Sequence, residues 1–462
     1  DAEGLVVAPG FIDAHVHVDD LHRRPLAESV IRQGVTTVIY AADGGMPWPL
    51  GEYITELGAR GHAPNIAFFA GHNTIRRRVM GTANRAPQPD ELERMKEMVA
   101  RAMGEGAIGL SSGLRYVPAI YSTTEEVIEL ARVAAAHGGI YAAHVRDEGA
   151  GSVESTLELI RIAREAAIPA QLTHHKLMGN RQWGLSTRTL ALIDSARAEG
   201  LAITLDVYPY TATSTGIAAL FPAWALAGGN DSLRARLADP ELRQRIEQGI
   251  RETILEERGG GDLSRMQLSR VAARPAWAGR TFADIARERG ATPDLDFAVA
   301  LTIELQTRGG AGGVWHVVSE EDLRRILRYP WSMISSDGGI GVIGRGNPHP
   351  RGYGSFPRVL GEYVRRLRVL PLEEAIRKMT SLPAGWFGFT DRGRIAEGMY
   401  ADITIFDQER VVDRATFDDP HRFPVGIEHV LVNGVPIILD GSLTGEKPGR
   451  VLRRDSTAVR NR

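Results

Sequence analysis

The strongest constraint on the fold of this chain is a rhythm. Short β-branched or apolar runs recur with longer amphipathic stretches between them. The runs are GFIDAHVH (10–17), VTTVIYAAD (35–43), NIAFFAGH (65–72), GAIGLSS (106–112), GGIYAAHV (138–145), PAQLTHH (169–175), AITLDVYPY (202–210) and WSMISSD (331–337). Stretches such as 89–106, 123–138 and 152–167 carry apolar residues at helical spacing; the second opens with Thr124 before two glutamates and closes on Gly138. Eight strands, mostly followed by helices, predict an α/β fold with a (β/α)8 TIM-like barrel. A chain of 462 residues can bury one such core and a smaller domain besides.

Two stretches break the rhythm. Residues 209–330 are too long for a loop and include the charged run ELRQRIEQGIRETILEERGGG (241–261), so a mostly helical insertion between the last two strands, over the barrel mouth, is expected. Within it VWHVVSE (314–320) is strand-like and competes for the eighth barrel position. After about residue 388 the pattern turns to short strands and turns, GRIAEGMYADITIFD and IEHVLVNGVPIILDGSLTG, as in a small β-domain. The expected division is 1–9 as a remnant of that β-domain, 10–387 as the barrel and 388–462 as the rest of the β-domain.

Composition narrows the function classes. A net charge of −2 argues against nucleic acid or an anionic membrane as partner, and no apolar run approaches the ~18 residues of a membrane span. With no cysteine, thiol catalysis, thiolate metal ligands and disulfides are excluded. The opening DAEGLVVAPGFID has neither an initiator Met nor a signal-peptide pattern. The expectation is a cytoplasmic protein whose N-terminal segment has been removed, with an exported form left open.

In a barrel of this kind functional groups come from the C-terminal ends of the strands. Those ends read HVH, AAD, GH, HVRDEG, THHK, DVYPY and SSDG. His15 and His17, two residues apart, leave one strand on the same side, roughly 6–7 Å apart at Cα. Asp43, His144, His174 or His175, and Asp337 join them at neighbouring ends. Of 13 histidines, five sit there and His72 is a further candidate, which favours a bound metal over a scatter of hydrogen-bonding residues.

The blocks PGFIDAHVH, QGVTTV, GGIYAAHVRDEG, THHKLMG, DVYPY, ISSDG, HPRGYGSFPRVLG and GRIAEGMYADITIFD resemble the amidohydrolase superfamily, and within it the N-acyl-D-amino-acid deacylase (D-aminoacylase) family. The resemblance runs nearly end to end. It implies metal-dependent hydrolysis of N-acyl-D-amino acids to a carboxylate and a free D-amino acid. The implied cofactor is Zn2+, one or two per chain, with other divalent metals open. His15 and His17 would ligate one position, His144 and His174 the tighter one, and Asp337 would be the catalytic acid/base. Where the family often has a cysteine after GVTTVV this chain has Asp43, a carboxylate whose two oxygens could bridge two metals and which is harder than thiolate. The family also implies an N-terminal β-segment pairing with the C-terminal one in a small β-sandwich; its N-terminal half is expected to be missing here, leaving strand edges in 388–440 unpaired.

The substrate's own carboxylate needs partners, and Lys176, Arg351, Tyr208 and Tyr116 are the candidates, the first three by resemblance. A guanidinium can grip a carboxylate with two parallel bonds, whereas lysine acts as a point charge. Arg115, next to Tyr116, would favour an acidic substrate side chain. His175 is expected to pack behind the site, Asp13 to accept from an imidazole, and His22, His62, His137, His421 and His429 to lie in loops or at the surface. Alternatives are an amidohydrolase for another C–N bond, a cyclic amide or a dipeptide, and a non-catalytic scaffold. The first usually needs a carboxylated lysine on the fourth strand, and GAIGLSSG has none. Oligomeric state is left open.

Overall fold

The computed structural model describes residue 2 and residues 4–454. Residues 1 and 3 of the 1–9 segment, and 455–462 of the 388–462 segment, lie outside the described residues.

Each of the eight expected runs contains strand. Phe11–Val16, Val35–Tyr40 and Asn65–Phe68 form a three-stranded parallel sheet. Ala70–Gly71, Gly109–Gly113, Ile140–His144, Ala170–Leu172, Ile203–Val207 and Ser332–Ile334 lie side by side in a six-stranded parallel sheet. Hydrogen bonds cross both seams between the sheets. At one, Phe69 N–H donates to Tyr40 O at 3.1 Å, and the chain runs straight from Asn65–Phe68 into Ala70–Gly71. At the other, Asp337 N–H donates to His15 O at 2.8 Å and His17 N–H to Gly338 O at 2.7 Å.

The strands read as nearly continuous apolar runs because both faces are covered. Helices between them present apolar stripes inward: Met95, Val99, Ala102 and Met103 in Pro89–Glu105, and Val127, Ile128, Leu130, Ala131 and Ala134 in Thr124–Ala136. The cap of the latter is Thr123, whose hydroxyl accepts from Glu126 N–H at 3.2 Å, one residue before the expected Thr124.

The insertion is mostly helical, as expected, with a small sheet that the sequence did not announce. It holds the helices Gly229–Ala238, Pro240–Glu256 and Leu295–Thr307, but also an antiparallel sheet in which Ala311–Trp315 lies between Thr213–Gly216 and Met266–Val271. Val314 and Trp315 therefore belong to this sheet, not to the parallel set. Trp315, fully buried, folds over Gly313, where a Cβ would meet its ring at 2.3 Å. A second hydrophobic core, with Ile246, Ile250, Ile254 and Phe282, forms beneath the sheet.

Toward the C-terminus, Ile403–Phe406, Ile427–Val432, Val435–Leu439 and Ser442–Leu443 form an antiparallel sheet, and Val6–Pro9 pairs with the first of them as the edge strand. Phe11 ties this sheet to the parallel strands. It is fully buried, stacks on Phe356 at 5.7 Å between ring centroids, and meets Phe406 at 6.3 Å. Phe11→Ala should cost about 3–5 kcal/mol, read as a lower midpoint in denaturant unfolding; a loss below about 1 kcal/mol would contradict this packing.

Candidate metal centre

The C-terminal ends of the parallel strands converge on one carboxylate. Asp43 leaves the second strand through Ala41, which adopts a left-handed backbone at φ 71°. Its carboxylate lies 3.4 Å from His15 Nε2, 3.6 Å from His17 Nε2, 3.7 Å from His144 Nδ1 and 3.6 Å from His174 Nε2. Asp337 closes one side, 2.9 Å from His17 Nε2 and 3.7 Å from His15 Nε2. His174 and Asp337 also sit at positive φ, 36° and 48°, a conformation that costs of order 1–3 kcal/mol in a non-glycine residue and gathers at functional sites.

Two donor sets result, each with its ligand atoms within 4.8 Å of one another: His15, His17, Asp43 and Asp337, and Asp43, His144 and His174. Asp43 belongs to both. Two imidazoles in each set, with a shared carboxylate, suit zinc-like ions. The fit is supported by His15, which is fully buried with neither ring nitrogen hydrogen-bonded among the described residues; a buried imidazole in that state costs free energy unless something else engages its nitrogens.

The electrostatics agree. Burial disfavours an imidazolium at His15, yet Asp43 and Asp337 outweigh it and raise His15 well above the usual histidine range. Burial and Lys176 push His174 down, but Glu148 and Asp43 carry it up to about 9. Burial alone would neutralise Asp43, but His15 and His174 hold it well below the usual carboxylate range. Asp337 is likewise held low against burial, chiefly by Arg351 and then His15. The cluster is thus a set of ionised carboxylates balanced by imidazolium and guanidinium charge.

Four of its neighbours came from outside the sequence-level candidates or changed their meaning. Glu148, buried, sits behind both second-set histidines, 3.1 Å from His174 Nδ1 and 3.5 Å from His144 Nε2. It also takes Lys176 Nζ at 2.5 Å, so the lysine is already partnered. Asp206 accepts from His174 N–H at 3.0 Å and from Gln171 Nε2 at 2.7 Å. Arg351 donates to Asp337 at 2.7 Å and lies 4.7 Å from the Tyr208 ring centroid. Tyr208 and Tyr116 line the same cleft of about 340 Å³, and among the described residues the Tyr208 hydroxyl has no hydrogen-bond partner.

Other expectations need correction. Arg115 does not face the cleft; it pairs with Glu257 at 2.7 Å. Asp13 touches no imidazole nitrogen and instead clamps the last strand, accepting from Ser336 N–H at 2.9 Å and Ser336 Oγ at 2.5 Å. His62 is buried and bonded to Pro64 O at 2.6 Å. His72 is held by Glu126 and Ser112, at 2.9 and 3.2 Å, away from the cleft. His175, as expected, packs behind the site, against Thr189 Oγ1 at 2.9 Å. Arg258, which does line the cleft, drew no attention in the sequence.

Residues 1–438 match the model of the amidohydrolase family. The chain belongs to that family. It is similar to the D-aminoacylase of Alcaligenes xylosoxydans xylosoxydans, at 38% identity over 98% of this chain and 88% of the relative. A D-aminoacylase structure with a binuclear metal centre, activated by one metal and attenuated by the second, superposes with a TM-score of 0.81 at 37% identity, covering 98% of this chain and 90% of that one. The N-acyl-D-glutamate deacylase of Bordetella bronchiseptica, solved with zinc and a phosphonate mimic of the tetrahedral intermediate, superposes at 0.83 and 32% identity, with the same coverage.

Because the carboxylates hold His15 and His174 protonated, a metal must displace those protons. Zinc affinity should therefore rise with pH, roughly tenfold per unit for each proton displaced, until His174 titrates near about 9. Calorimetry in two buffers of different ionisation enthalpy counts the protons; a pH-independent affinity without proton release would contradict the donor set.

Proposed function

We propose that this chain hydrolyses the amide bond of N-acyl-D-amino acids, releasing a carboxylate and a free D-amino acid, with a divalent metal, zinc first, as cofactor. The observation that carries the reading is the convergence of four imidazoles and Asp337 on Asp43, in a chain of this family. The two parallel sheets, hydrogen-bonded at both seams, are read as one (β/α)8 barrel with this cluster at its C-terminal mouth.

In this reading His15, His17, Asp43 and Asp337 hold one metal position, and Asp43, His144 and His174 the other. A metal bound there would polarise the amide carbonyl and let water act as a nucleophile at neutral pH. Asp337 is ionised and buried at the cleft wall, placed to take a proton from the attacking water and return it to the departing amine nitrogen. Glu148 and Asp206 orient the His174 segment, as outer carboxylates commonly do for ligating histidines. The substrate α-carboxylate is met by Arg351, with Lys176, Tyr208 and Tyr116 around it. Both cations already share a carboxylate, so each offers only its remaining donors. The strand Gly109–Gly113 carries no lysine, which argues against a lysine-bridged centre and the cyclic-amide chemistry that goes with it.

Amine release from paired N-acetyl-D- and N-acetyl-L-amino acids tests the assignment. With zinc, release should come from the D series, vanish on chelation and return on reloading. Asp337→Asn should lower kcat by about 10²–10⁴-fold. Release from neither series by folded, zinc-loaded protein would reject the deacylase assignment.

A further inference from the structure

One cation in the cleft has no counter-charge. Lys176 is bound to Glu148 and Arg351 to Asp337. Arg258 makes no ion pair among the described residues. Its side chain is 3% exposed and lines the cleft. Among the described residues Nη1 reaches only Met178 Sδ at 3.0 Å and Thr213 Oγ1 at 3.3 Å, and Nε has no partner. An unpaired buried guanidinium is costly, and a guanidinium at a cavity wall with donors still unused suits a planar anion.

The surroundings hold this arginine in place. It follows the inserted helix Pro240–Glu256, whose end presses on the loops after two parallel strands. A Cβ at Gly179, φ 90°, would stand 1.9 Å from Glu256 O, and one at Gly149 3.0 Å from Glu257 Cγ. Glu257 itself is pinned by Arg115. The segment is thus anchored on both sides of Arg258.

Its position along the substrate follows from its contacts. Arg351 and Lys176 touch Asp337 and His174 directly, at 2.7 Å in each case. Arg258 bonds no residue of either donor set; its neighbours are Met178 and Thr213. A group reaching Arg258 is therefore a different one from the group that Arg351 and Lys176 meet beside the donor sets.

We propose that Arg258 determines specificity by binding a substrate side-chain carboxylate, so that N-acyl-D-glutamate or N-acyl-D-aspartate is preferred over neutral D-residues. This rests on the deacylase reading for the substrate, and on the cleft geometry alone for the anion site.

The test uses the zinc-loaded full chain and two readouts. Calorimetry compares D-glutamate with isosteric D-glutamine, which bind as products without turnover. Turnover compares N-acetyl-D-glutamate with N-acetyl-D-glutamine. Glutamate should win by about 10–100-fold in both, as a charge-assisted bond to a buried arginine implies. The ratio should collapse toward one in Arg258→Met and survive in part in Arg258→Lys, which keeps the charge. A ratio near one in the wild type, or one unchanged in Arg258→Met, overturns the proposal, as does a preference that tracks a carboxylate on the acyl group of N-succinyl-D-leucine instead. A glutamate-over-glutamine binding gap without amine release from any N-acetyl-D-amino acid would overturn the deacylase reading and keep the anion site.

Discussion

Everything at the mouth of this fold is arranged around the Asp43 carboxylate. Four imidazole nitrogens from three different strand ends stand within 3.4–3.7 Å of it. Mutual approach of that many polar groups in a buried space is unfavourable unless charge is shared among them. Asp43 supplies the negative charge, and the strands deliver the histidines at fixed height. Ala41, His174 and Asp337, all at positive φ, are where the backbone leaves ordinary strand geometry to allow this.

The carboxylate also sets the character of the site. A thiolate at the same place would be soft and would favour zinc strongly; a carboxylate is harder and has two oxygens to divide between two positions. Both donor sets share Asp43, so the two positions are coupled through one side chain. Around them the negative charge of Asp43, Glu148 and Asp337 is balanced by Lys176, Arg351 and protonated imidazoles. Protons and metal thus compete for the same atoms.

Much of this was legible in the sequence because it is local. His15 and His17 lie two apart on a strand, and Asp43, His144, His174 and Asp337 each fall just where a run of apolar residues ends. Period-two patterning and the βα rhythm place such residues without knowledge of the partners. What the sequence hid depends on pairing at a distance. Arg115 looked like a free cation because its partner, Glu257, is 142 residues away. Arg258 looked like one more charge in a helical run until the insertion folded against Gly149 and Gly179. VWH could be a strand of either sheet, and only antiparallel pairing on both sides of Ala311–Trp315 decides between them. Glu148 and Asp206 were passed over because a carboxylate earns its role from which imidazole it meets.

The central claim is that Asp43 and its histidines are the metal ligands. Anomalous diffraction at the zinc edge, from crystals grown with zinc, tests it most directly. The account predicts a peak within about 2.0–2.2 Å of an Asp43 oxygen and of His15, His17, His144 or His174 nitrogens, with a second peak on the other side of the same carboxylate when zinc is in excess. A zinc peak elsewhere in the molecule, with none at Asp43, would contradict it.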